Sequence, residues 1–110
     1  VLFGDGRQTR DFVDIADVVE ALIRAGRAEG ISRAILNVGC GVEVSIAGLV
    51  DTIERVTGRE VDRLVNSESK SGVSRLVADI ALAQKVLGFA PKITLPEGLR
   101  LTLRKDERFS

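Results

Sequence analysis

The sequence has no histidine, tyrosine, tryptophan or methionine. Without histidine there is no Ser-His-Asp triad and no His-ligated metal site; without tyrosine there is no phenolic proton donor. No catalytic and no metal-binding residue is therefore expected from this chain. The single cysteine, Cys40, cannot form an internal disulfide, which fits a reducing compartment and a cytoplasmic location. No apolar run approaches the roughly 20 residues needed to cross a bilayer. Lys and Arg total 16, as do Asp and Glu, so no net field draws the chain to nucleic acid or to an anionic membrane. A basic start followed by an apolar stretch and a small-residue cleavage site is also missing, so no signal peptide is expected.

What is present suits one small α/β domain spanning residues 1–110, with about four helices and short strands. The chain opens at Val1 inside what reads as a strand, without Met, and is expected to belong to something longer. Residues 1–3 and 9–13 flank an Asp-Gly pair, which predicts a hairpin. A helix is expected from near Asp14 or Ala16, with Ile15, Val18, Val19 and Leu22 at helical spacing and Arg24, Gly26 and Arg27 at its end. Residues 34–38, AILNV, read as a strand buried on both faces, as in a parallel sheet. Ser45 should cap a helix carrying Ile46, Leu49, Val50, Ile53 and Val56, and Gly58 sits where a left-handed cap belongs. Residues 60–65 are a weaker strand candidate, 66–72 a polar loop, and 73–78 a short strand or extended segment. Asp79 is the expected N-cap of a helix over 80–87 closed by Gly88. Thr94 and Glu97 form a capping box with Pro96 between them.

Three stretches in this order and spacing carry a resemblance: GDGRQTRDFVDIADVVEALIRA (4–25), ILNVGCGVEVSIAGLVDTIERVTGREV (35–61) and SGVSRLVADIALAQKVLGFAPKITLPEGLRLTL (71–103). Together they resemble the C-terminal, substrate-binding part of the NAD-dependent epimerases and dehydratases, extended short-chain dehydrogenases that act on nucleotide sugars. The fold this implies is the C-terminal part of an extended Rossmann-type epimerase, with the N-terminal NAD-binding domain absent. That family works through a Gly-rich turn that seats the NAD pyrophosphate and a Tyr-x-x-x-Lys pair that moves protons. Neither is here, and Gly39-Cys40-Gly41 lacks the G-x-G-x-x-G spacing. The resemblance thus implies NAD in the parent family but no cofactor held by this chain alone, and no catalysis alone.

By the same resemblance, Arg10 matches the arginine that contacts the substrate diphosphate, a task for which a two-pronged guanidinium is suited. The plainer reading pairs Arg10 with Asp11 or solvent. Phe12 matches a family aromatic. Lys70 stands at the arginine of the family's Arg-x-Gly-Asp, keeping the charge without the fork, while Val73 replaces the aspartate and the loop is one residue short. Asp14 stands where Tyr or His is usual and Ala16 where an Asp caps the helix, so Asp14 is expected to take over capping. Gly39 and Gly41 are expected to permit a sharp turn, with Cys40 a small residue in it. The implied partner is a nucleotide-diphosphate sugar. Two alternatives stand beside this: a free-standing weak nucleotide-diphosphate-binding module, or a scaffold that forms a homodimer through surface the NAD-binding half normally covers.

Overall fold

Helix starts follow from the short polar side chains that precede them. In a computed structural model describing residues 2–3, 5–66 and 74–109, Asp14 accepts from the Ala16 amide ahead of α1 (Ile15–Arg27). Ser45 accepts from the Gly48 amide at the start of α2 (Ile46–Thr57). Thr94 and Glu97 close a reciprocal capping box on α4 (Leu95–Lys105). Gly58 and Gly88 end α2 and α3 (Ala81–Leu87) in the left-handed conformation, at φ 69° and 64°. Asp79 does reach the Ala81 amide at 3.0 Å. However, Ile80 and not Asp79 is the N-cap of α3, so that helix starts one residue later than expected.

The strands are short and pair at long range. β1 (Leu2–Phe3) lies parallel to β4 (Val65–Asn66), and β2 (Thr9–Arg10) lies antiparallel to β3 (Val44–Ser45). The expected hairpin between residues 1–3 and 9–13 does not form; each arm finds a distant partner instead. β2 has a second neighbour in the extended segment at 74–76. Thr9 donates to the Ser74 carbonyl at 2.9 Å and accepts from the Leu76 amide at 3.1 Å.

Residues 34–38 form no regular element and join no sheet among the described residues, against the expected doubly buried strand. Leu36 and Val38 turn inward onto the core, whereas Ile35 is 90% exposed. That core is small: Ala21, Ala83, Leu87 and Phe89, with α1 laid against α3. α2 packs on α4.

α1 has two differing sides. Asp17, Ala21, Arg24 and Ala28 form its inner row: Asp17 and Ala21 are buried, Ala28 packs on the core, and Arg24 donates to the Leu87 carbonyl. Ile15, Val19 and Leu22 form a second row, and with about 3.6 residues per turn it faces the opposite way. Ile15 is 73% exposed and Leu22 68%. The larger apolar side chains therefore look outward. The surface matches: 8137 Å² is exposed, whereas a compact chain of this mass exposes about 5,900 Å². The radius of gyration is 16.5 Å, against about 13 Å for a compact chain of this length.

Candidate functional site

Residues 9–11 organise the site because β2 is flanked on both sides. β3 runs along one edge and the 74–76 segment along the other. On the Thr9 face, Glu43 accepts from the Thr9 hydroxyl at 2.7 Å and from Arg75 Nε at 2.9 Å, tying all three segments together. These bonds, the Thr9 hydroxyl's first, hold the Glu43 carboxyl below the usual carboxylate range.

Arg10 lines a cavity of about 400 Å³. One wall is Asn37–Gly39 and another Leu76–Asp79, and Asp11 and Val13 line the cavity together with Arg10. The guanidinium donates through Nη1 to the Thr9 carbonyl at 2.6 Å. Among the described residues it has no carboxylate within ion-pair distance, so the pairing with Asp11 considered from sequence is not formed.

Asp11 is turned into the backbone instead. Its Oδ1 accepts from the Cys40 amide at 2.7 Å, and its Oδ2 from the Gly41 amide at 2.8 Å and the Ala78 amide at 3.2 Å. Gly39 allows this approach: a Cβ there would stand 2.7 Å from the Ala78 Cβ and 2.8 Å from Asp11 Oδ2. Gly41 adopts φ 74°, where glycine is favoured. Cys40 is partly buried, and burial first, then the Asp11 and Asp17 charges, push its thiol pKa up. The arrangement also bears on the NAD question. A dinucleotide turn presents free amides to phosphate, and the Cys40 and Gly41 amides are already taken by Asp11. These residues do not fit an NAD pyrophosphate.

Phe12 faces elsewhere. It lines a second cavity of about 300 Å³ between the start of α1 and α4, with Asp14, Ile15, Ile93, Leu95 and Leu99. Val13 borders both cavities. Arg10 and Phe12 are thus neighbours in sequence that line separate hollows. Lys70, with Ser71, Gly72 and Val73, lies outside the described residues. Asp17 escaped the sequence reading altogether. It is buried on α1 and accepts from the Lys92 and Ile93 amides, both at 3.1 Å. Among the described residues no three Cys, Asp or Glu side chains converge as metal ligands, and no helix is long and apolar enough to cross a membrane.

The fold recurs in solved Rossmann-type epimerases. UDP-glucose 4-epimerase from Thermotoga maritima, solved with UDP-glucose, superimposes with a TM-score of 0.83 at 32% identity, over 92% of this chain and 32% of that one. UDP-glucuronic acid 4-epimerase from Bacillus cereus, solved with UDP-glucuronic acid and NAD, gives 0.81 at 28% identity, over 89% of this chain and 32% of that one. In sequence, the profile of the NAD dependent epimerase/dehydratase family matches residues 1–39. The UDP-glucose 4-epimerase of Mycolicibacterium smegmatis is 36% identical over 102 residues, which are 93% of this chain and 32% of that protein. A putative UDP-glucose 4-epimerase of Methanocaldococcus jannaschii is 36% identical over 100 residues, 91% of this chain and 32% of that protein. The chain is related to the NAD-dependent epimerase/dehydratase family. It spans about a third of the length of the curated relatives it matches.

Proposed function

We propose that this chain, acting as one unit over residues 1–110, is the C-terminal, nucleotide-sugar-binding part of an NAD-dependent nucleotide-sugar epimerase or dehydratase. Arg10 receives the diphosphate of the substrate. The observation that carries this reading is the state of Arg10: it lines the cavity next to Asp11, yet its guanidinium forms no ion pair with that carboxylate. A cation with no ion-pair partner among the described residues is what an incoming phosphate needs. Solved relatives hold UDP-glucose and UDP-glucuronic acid, and a UDP-sugar is the ligand proposed here. Phe12 supplies an apolar surface in the adjoining hollow, and Lys70 a second positive charge. Hydride and proton transfer belong to a dinucleotide-binding part, because this chain has no tyrosine and its Gly39-Cys40-Gly41 turn has given the Cys40 and Gly41 amides to Asp11. The outward side of α1 and the segment at 34–38, which joins no sheet among the described residues, are surfaces for that part to cover. The single free cysteine fits work in the cytoplasm.

Calorimetric or NMR titration with UDP-glucose and UDP-glucuronic acid tests this. The expected result is a Kd tighter than about 1 mM, roughly −4 kcal/mol, lost in Arg10→Ala, with no binding of NAD. Tight NAD binding, or a UDP-sugar affinity indifferent to Arg10, would refute it. Self-association is a second reading, supported by the exposed Ile15, Val19, Leu22 and Ile35. Light scattering that finds only monomer at high concentration would end that second reading.

A further inference from the structure

The two walls of the Arg10 cavity come from segments far apart in sequence, 37–39 and 76–79. Neither wall is secured by a regular ladder at this point, since 34–38 joins no sheet among the described residues and the 74–76 segment touches β2 only around Thr9. Among the described residues the Asp11 carboxylate bridges them. Asp11 holds the Cys40 and Gly41 amides, just past the first wall, and the Ala78 amide within the second. Three donors on two oxygens commit the carboxylate to the backbone, so its charge is spent there and not on the neighbouring guanidinium. The fit is close: Gly39 has no room for a Cβ between Ala78 and Asp11.

We propose that Asp11 is the positioning residue of this site, setting the gap between the two walls in which Arg10 meets a diphosphate. This deepens the nucleotide-sugar reading given above and rests on it. Asparagine at position 11 would keep one acceptor and turn an NH₂ toward amides that are themselves donors. The walls would lose their tie while Arg10 stayed in the chain.

The test is a titration of the 110-residue chain with UDP, followed by amide NMR at a temperature where circular dichroism shows each variant fully folded. The wild type should saturate. Asp11→Asn should bind UDP more weakly by roughly fivefold or more, with the Cys40, Gly41 and Ala78 amide resonances displaced. A merely structural role predicts otherwise: a lower unfolding midpoint, but folded Asp11→Asn binding UDP within twofold of wild type. That result overturns the proposal. Should Asp11→Asn fail to fold, Gly39→Ala wedges the same junction while leaving the carboxylate in place. It should show the same loss, and wild-type affinity in folded Gly39→Ala also overturns the proposal. A wild-type chain that ignores UDP removes the site reading and Asp11's role with it. Normal UDP binding by Asp11→Asn removes only the latter.

Discussion

Asp17→Ala is the substitution whose cost follows most directly from the structure. Asp17 is 4% exposed. Its two carboxylate oxygens each take one amide, from Lys92 and Ile93 at 3.1 Å, and so fasten α1 to the turn that leads into α4. A hydrogen bond to a charged group contributes about 1.5–3 kcal/mol, so two such bonds bound the loss at about 3–6 kcal/mol. Lys92 itself is exposed, and water will reach part of the vacated space, which places the expected loss near the lower end, about 3 kcal/mol. For a chain whose buried core is a handful of residues, that is a large share of the 5–15 kcal/mol or so typical of folded domains. Urea unfolding followed at 222 nm measures it. Asp17→Asn keeps one acceptor and should fall between wild type and alanine. If alanine loses less than about 1 kcal/mol, the carboxylate is not the fastening between α1 and α4, and the reasoning fails.

Three further outcomes are expected. Gly58→Ala should destabilise by about 1–2 kcal/mol, the penalty of a Cβ in the left-handed region, because φ there is 69° and the space around it is open. Gly58→Asn should lose less, and thermal midpoints of the two variants compare them. Cys40 should react slowly with a disulfide reagent near pH 8, since burial and then the Asp11 and Asp17 charges raise its thiol pKa. Asp11→Asn removes one of those charges and should bring the thiol titration down. Glu43 titrates below the ordinary carboxylate value in the folded chain. Its contribution to stability is thus complete above the unfolded-state pKa and disappears as pH falls through the lower, folded one. Unfolding midpoints measured from pH 6 to pH 3 should fall less steeply in Glu43→Gln.

What the sequence made legible is local. Ser45, Thr94, Asp14, Gly58 and Gly88 act on amides or turns within a few residues, and each does in the structure what its residue type suggests. The pairing of strands was not legible, because Leu2–Phe3 and Thr9–Arg10 choose partners more than thirty residues away. An Asp-Gly pair permits a hairpin without imposing one. Residues 34–38 have the composition of a doubly buried strand but show only half of that burial, Leu36 and Val38 inward and Ile35 outward. At the site, Arg10 was visible through the family resemblance, while Asp11 was read only as its possible counter-ion. A signal for Asp11 existed in the glycine at 39, whose missing Cβ leaves room for a carboxylate, and in the one at 41, whose amide that carboxylate takes. Asp17 could have been found too: it shares a helical row with Ala21 and Ala28, and an acid on an inner row must have donors waiting for it.

The two-faced build of α1 separates two properties usually engineered together. Replacing Leu22 or Ile15 with glutamate touches none of the packing around Ala21, Ala83, Leu87 and Phe89, so the melting of the isolated chain should hardly change while its tendency to precipitate falls. Selection for solubility would therefore accumulate charges along that row, and every such charge would be carried into any larger protein in which the row has to be dry.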